Sequence, residues 1–277
     1  MHRFATLTAI ATFFLLIAGG MVTSTNSGLA VPDWPLSYGT WFPPMVGGIL
    51  YEHGHRMIAG VVGLLILALA IWVGWREPRR WVRRLGYAAL GAVIGQAILG
   101  GMTVLLLLPP QVSIAHACLA QLVFCLVISL SWCTTPHRSP APAAAVDVRG
   151  HSAALGLAAF TQLLLGAVIR HTGGSVIPHV LGAVALSGLA IAFAWRTRRE
   201  PLLRRDAWRL LGLLAAQVGV GLVVLAGMVV VQMLLGPAAL LHLDQALVTM
   251  AHQVVGAMVL AHACLLVLMV HRVTRTA

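Results

Sequence analysis

Residues 54–75 read GHRMIAGVVGLLILALAIWVGW, and after Arg56 this run contains no charged side chain. A helix that crosses a bilayer needs about 20 consecutive apolar residues, because it rises about 1.5 Å per residue through a hydrocarbon core about 30 Å thick. The run therefore predicts a transmembrane helix. Similar runs elsewhere predict eight spans in all, over residues 4–22, 54–75, 84–108, 112–133, 151–170, 177–195, 207–235 and 247–271.

The composition also indicates a membrane protein, since 60% of the 277 residues are hydrophobic and only 9% are charged, against about 25% charged residues in soluble domains. The net charge of +11 could suggest a nucleic-acid partner, but all 18 basic residues are arginines in short clusters between the spans. Such clusters mark the cytoplasmic ends of spans. Only Arg56 and Arg170 fall on the other side. The pattern predicts a multi-pass plasma-membrane protein with both termini in the cytoplasm and no nucleic-acid partner.

The two halves of the chain resemble each other across a stretch rich in Pro and Ala. We predict an N-terminal bundle (residues 1–135), a cytoplasmic linker (136–150) and a C-terminal bundle (151–277). With four helices in each half, the halves should be related by a pseudo-twofold axis along the membrane normal. The predicted fold is therefore all-α, with two four-helix bundles. The matching residues are Gly19 with Gly166, Gln96 with Gln217, Gly100 with Gly221, His55 with His179, and His116 with His252.

Four of the 12 histidines lie at similar depth near the outer ends of the even-numbered spans: His55, His116, His179 and His252. Two histidines on facing helices of one bundle form the arrangement that ligates a heme iron from both sides. A packed, hydrogen-bonded side chain is the alternative for any single histidine, but repetition in both halves favours heme or metal ligation. Copper and zinc fit less well, because thiolates and clustered carboxylates are missing near these positions.

Glu52 precedes His55 by about one turn, and the second half has no acid at the corresponding place. A carboxylate beside only one histidine pair is a candidate for proton transfer, with a helix cap or a supporting partner of a histidine as the alternative. Arg56 beside the first pair and Arg170 in the second half suit either heme propionates or anchoring at the membrane interface. The sequence leaves open the roles of His53, His171 and His242.

Two stretches of the first half resemble the heme A synthase family: residues 27–36, SGLAVPDWPL, and residues 51–56, YEHGHR. The preceding residues 19–23, GGMVT, fit as well. The layout of two four-helix halves, with an outer histidine on each even-numbered helix, extends the resemblance over nearly the full chain.

The resemblance implies an oxidoreductase that converts the C8 methyl group of heme O to a formyl group, giving heme A for cytochrome oxidase. It implies that His179 and His252 bind heme b as a redox cofactor, that His55 and His116 bind the substrate heme O, and that Glu52 is catalytic. Many family members carry a cysteine pair in the first outer loop, whereas this loop has none. Either a loop thiol is not essential to catalysis here, or the chain does something different with the same fold. Expected partners are heme O, membrane lipid, an electron donor of unknown identity, heme O synthase, cytochrome oxidase assembly factors and a second copy of the chain.

Two other functions stay open from the sequence alone. A di-heme b electron-transfer protein would use the same four histidines, although such a protein commonly places its hemes near both faces of the membrane. A heme transporter is the other possibility, although transporters often contain broken helices near the midplane, and the spans show no comparable pair of breaks.

Overall fold

The computed structural model describes residues 1–135, 147–234 and 242–274, which include all of the predicted first half. Within these ranges the chain forms eight α-helices and no β-strand. All eight are long and apolar enough to cross a membrane, which confirms the prediction of an all-α membrane protein. The helices are α1 (His2–Ser24), α2 (Gly47–Arg76), α3 (Arg80–Leu105), α4 (Pro110–Cys133), α5 (Arg149–Thr172), α6 (Ile177–Arg196), α7 (Pro201–Leu234) and α8 (His242–Thr274).

Helix α2 begins at Gly47, about two turns before the predicted start at residue 54. The prediction followed hydropathy, which falls at Glu52 and His53, whereas a helix continues through polar residues until a breaker stops it. Here Pro43 and Pro44 lie just before the helix. Glu52 is therefore held in a regular helical turn rather than in the loop.

The helices pack as two rings of four. In one ring α1 contacts α2 and α4, and α3 contacts the same two helices; in the other, α5 and α7 each contact α6 and α8. The rings meet where α8 packs against α1 and α4, and where α4 packs against α5. The pseudo-twofold relation between the halves stays a prediction. The predicted linker lies largely outside the described residues, since 136–146 are not among them.

Each ring has its own apolar core. Leu69 and Val127 are fully buried in the first, and Phe193 and Leu266 in the second. Many other large apolar side chains, such as Leu64, stay exposed, which suits contact with lipid. Cys118, Cys125 and Cys133 are buried among apolar helices, and Cys264 is partly buried.

The connection between α2 and α3 is fixed by one ion pair. Arg79 Nε donates to Glu77 Oε1 at 2.6 Å, and the same guanidinium donates to the Cys133 carbonyl at the end of α4 at 2.7 Å. Hydrogen bonding from Arg79 holds the pKa of the buried Glu77 carboxyl below its usual value of 4.5. This contact ties three helices together at the end of the bundle opposite the four histidines.

Candidate functional site

The four predicted histidines lie at the same end of the bundle, called here the histidine end, where α1, α3, α5 and α7 finish and their successors begin. Each histidine's imidazole ring packs against a glycine of the preceding helix. A Cβ placed on that glycine would lie only about 3 Å from the ring, which is closer than side chains normally approach. The distances to the histidine Cε1 are 3.1 Å for Gly19 and His55, 3.2 Å for Gly100 and His116, 3.2 Å for Gly166 and His179, and 2.9 Å for Gly221 and His252.

The histidines form one pair in each ring of helices. The rings of His179 and His252 are 6.1 Å apart between centroids, with an interplanar angle of 66°. His55 and His116 are close enough to interact electrostatically across the first ring. The structure therefore brings together the two pairs that the sequence predicts.

The donor set fits a heme iron. Nδ1 of His55, His116 and His252 is buried and has no hydrogen-bond partner in the described part of the chain. Such unpaired buried groups cost roughly 1–3 kcal/mol each, so a ligand that engages the rings would relieve a penalty. No group of three or more His, Cys, Asp or Glu among the described residues is placed to hold a metal ion. Two facing imidazoles suit an iron that brings its other four ligands in a porphyrin better than a bare ion.

The loop between α1 and α2 is fastened to α2 by Glu52. This side chain is buried; Oε2 accepts a hydrogen bond from the Val31 N–H at 2.8 Å, and Oε1 accepts one from Arg56 at 2.5 Å. The carboxylate thus lies one turn before His55 and joins the helix to the loop. The sequence predicted the acid but not its contact with Val31, since two positions far apart in the chain carry no signal of pairing.

Arg56 is the second fastening point. Its guanidinium donates to the carbonyl oxygens of Asp33 at 2.7 Å and Leu36 at 2.8 Å, besides its bond to Glu52. These hydrogen bonds hold the Arg56 side chain against the loop backbone. The predicted role for Arg56 in holding a heme propionate was based on its position alone, and no described contact tests it.

Two further contacts close the loop over the first histidine pair. Ser37 Oγ and His53 Nδ1 are 2.7 Å apart, and both residues are buried. A Cβ on Gly101 would lie 3.0 Å from the Trp34 indole, so the indole rests on α3 directly beside the glycine that faces His116. His53, whose role the sequence left open, therefore supports the loop.

Asp33 orders the loop from within. Its carboxylate accepts the Tyr38 and Gly39 N–H groups at 2.7 and 2.8 Å. The backbone hydrogen bond from Gly39 contributes most to holding the pKa of this partly exposed carboxyl below its usual value of 3.8. The loop therefore has a defined turn at the Trp-Pro segment, where the Trp34–Pro35 peptide is cis.

The second half has no comparable loop, because only residues 173–176 separate α5 from α6. Arg170 donates to Ser24 of α1 at 3.1 Å, so it lies at the border between the two rings of helices. His171 is adjacent to it and partly buried. The His242 and Asp244 side chains lie outside the described residues.

The contacts that glutamines make with the site histidines were not predicted from the sequence. Gln96, Gln162 and Gln217 each contact the histidine that faces the neighbouring glycine. The signal that could have found them is a Gln four residues before the glycine, which recurs in α3, α5 and α7.

These features define a polytopic helical membrane protein with two partly buried histidine pairs at one end, one of them covered by a fastened loop. Residues 47–178 match the COX15-CtaA family model, described as cytochrome oxidase assembly protein. This range holds two of the four histidines, His55 and His116, and the Glu52–Arg56 pair.

Three similar curated proteins carry the same name, heme A synthase. The chain is 30% identical to a heme A synthase of Symbiobacterium thermophilum, over 73% of this chain and 78% of that protein. It is 27% identical to a heme A synthase of Halalkalibacterium halodurans, over 75% of this chain and 81% of that protein. It is also 30% identical to one of Lysinibacillus sphaericus, over 63% of this chain and 59% of that protein, so some matches span only about three-fifths of the relative. The chain belongs to the heme A synthase family.

Proposed function

We propose that this protein is an oxidoreductase that converts heme O to heme A by oxidising one methyl group to a formyl group. The relatives that it resembles carry the name heme A synthase. The single observation that carries the proposal is the unequal pair of histidine sites: both can hold a heme, but only the first is covered by a loop fastened through Glu52 and Arg56. A covered site suits a bound molecule that must be oriented and shielded from water.

The first half (residues 1–135) is the substrate half in this proposal. His55 and His116 hold the heme O iron, and Arg56 keeps its place beside the site, where it suits a propionate. The loop excludes water and fixes the macrocycle, so that one methyl group faces the reacting position. Glu52, one turn before His55, is proposed as the catalytic acid–base group, because it is the one carboxylate described beside a histidine pair.

The second half (residues 151–277) holds heme b between His179 and His252. A bound heme b supplies one-electron redox chemistry to the enzyme. Arg170 suits a propionate of this heme, and its bond to Ser24 joins the cofactor half to α1 of the substrate half. The electron donor is a separate component, and heme O synthase and cytochrome oxidase assembly factors are proposed partners because they would supply the substrate and receive the product.

The histidine end is proposed to face outward, with both termini in the cytoplasm. The arginines other than Arg56 and Arg170 lie at the opposite end of the spans or in the segments beside it, as the positive-inside rule requires.

The test is to supply the purified membrane protein with heme O in air, so that dioxygen is available as oxidant, together with a reductant for the bound heme. The extracted hemes are then identified by mass spectrometry and pyridine hemochrome spectra. We expect heme A or its hydroxymethyl precursor from the unmodified chain. His179→Ala should lose the heme b signal, whereas His271→Ala, an exposed histidine at the other end of α8, should retain it. Recovery of heme O unchanged, with heme b fully reduced, would overturn the proposed reaction in favour of an electron-transfer protein.

A further inference from the structure

Three of the four histidines are contacted by a glutamine of the preceding helix. Each glutamine lies one helical turn before the glycine that faces the same imidazole, because residues at i and i+4 share a helix face. The amide Nε2 lies 3.2 Å from His116 Nε2 for Gln96, 3.1 Å from His179 Nδ1 for Gln162, and 3.1 Å from His252 Nε2 for Gln217.

His55 differs from the other three. The residue one turn before Gly19 is Leu15, which packs partly buried against the apolar core of the first ring. Leucine has no hydrogen-bonding group in its side chain. Among the described residues no glutamine hydrogen bond reaches the His55 ring, whereas each of the other three rings has one. The imidazole is therefore held by packing on Gly19 but has no amide to orient it.

The glutamine contacts hold the backbone beside a histidine as well as its ring. The amide nitrogens of Gln96 and Gln162 also donate to the backbone carbonyls of His116 and His179, at 3.0 and 2.7 Å. Groups that hold a metal-ligating histidine in one orientation raise the affinity of the site for its metal. Leu15 has no side-chain group that could make either contact with His55.

We propose that Gln96, Gln162 and Gln217 are positioning residues for three heme ligands, and that Leu15 leaves His55 as the one axial ligand that dissociates. This inference rests on the proposed function, since it concerns the same two heme sites. With a heme bound, release of His55 would leave the electron pair on the imidazole, so it would involve no oxidation or reduction. The lack of a glutamine beside His55 would let a substrate heme enter and leave the first half, while the second half keeps its cofactor.

The experiment uses the full chain, loaded with hemin in detergent and reduced, with carbon monoxide as the probe. Carbon monoxide binds a six-coordinate ferrous heme only where an axial ligand dissociates, and the Soret shift reports binding without any turnover. The test variant is Leu15→Gln, which supplies the missing amide. The matched control is Leu15→Met, which has similar length and no amide.

The unmodified chain should bind carbon monoxide at one of its two hemes. Leu15→Gln should lower the carbon monoxide affinity of that heme about 10- to 100-fold, the range that such supporting partners contribute to metal-site affinity. Leu15→Met should leave it unchanged. Gln217→Leu should make the second heme reactive as well, which tests the proposal by a route that does not alter α1.

Equal carbon monoxide affinity in Leu15→Gln and Leu15→Met, with two hemes bound in each, would overturn this inference and leave the proposed function intact. Binding at both hemes of the unmodified chain would overturn it too. A chain that takes up no hemin would instead contradict the proposed function itself, so the two failures are distinguishable.

Discussion

Replacing Glu52 by alanine should release the loop from α2. The Glu52 side chain is 5% exposed and that of Arg56 is 15% exposed, so the ion pair is largely shielded from solvent. Removing one partner of a buried pair costs about 3–5 kcal/mol, because the other charge is left uncompensated. The Val31 N–H would also lose its acceptor.

A loss of about 3 kcal/mol, if it falls on the loop, raises the open population roughly 100-fold, since each 1.4 kcal/mol is tenfold. The loop is where the loss should fall, because Arg56 and Val31 are its contacts with Glu52. The rest of α2 is held independently by apolar packing of residues such as Leu69. We therefore expect local opening rather than global unfolding.

Hydrogen–deuterium exchange, read by mass spectrometry over residues 27–46, measures this opening. Glu52→Ala should exchange much faster in that segment and at an unchanged rate in α6. Glu52→Gln keeps one acceptor oxygen and should stay closer to the unmodified chain. Glu200→Ala, which removes an acid from the connection between α6 and α7, is the control for loss of charge.

The same variants separate two roles of the acid. If Glu52→Gln keeps the loop protected yet forms no heme A, the carboxylate itself takes part in the reaction. If Glu52→Gln is active and Glu52→Ala is not, the acid acts through the loop. Unchanged exchange of residues 27–46 in Glu52→Ala would refute the fastening role derived from the structure.

Two other predictions concern a glycine beside a histidine and an acid at the opposite end. Gly221→Ala should lower heme retention, since the added Cβ would lie 2.9 Å from His252 Cε1. Gly219→Ala is the control and should be neutral, because a Cβ there meets no atom within 4 Å. Equal heme content of the two variants in an absorbance titration would contradict this prediction. Because the folded-state pKa of Glu77 is depressed by Arg79, its contribution to stability is present above its ordinary pKa of 4.5 and is lost as the pH falls through the lower folded value. Thermal unfolding below pH 4.5 should therefore depend less on pH in Glu77→Gln, and an unchanged slope would argue against the pairing.

The eight spans could be predicted from the sequence because the bilayer imposes one length and one chemistry on every crossing helix. Their ends could not, since helices continue past the hydrocarbon core. Gly47 begins α2 well before the apolar run, and this extension is what places Glu52 in a helical turn. Hydropathy reports where lipid surrounds a helix, not where its backbone hydrogen bonds stop.

The four histidines were accessible to sequence reasoning because they recur at corresponding places on alternate helices. The loop contacts were not, because the Val31 N–H is a backbone group that every residue but proline has. The contact of Gln162 with His179 was not predicted for another reason. A single glutamine in an apolar membrane helix gives no sign of which residue it contacts. Its meaning appears only when the amide is seen 3.1 Å from His179.

Each imidazole rests on a glycine from the other arm of its own helical hairpin: α1 and α2, α3 and α4, α5 and α6, or α7 and α8. The direction of a ring is thus set within a hairpin, whereas the gap between two facing rings is set by how two hairpins lie against each other. If a flat macrocycle binds between the rings, as proposed, the two hairpins would have to part sideways, and each ring could keep its contact with its glycine. On that proposal the direction of each histidine ligand is set within its own hairpin, and only the distance between two hairpins would have to change when the macrocycle binds.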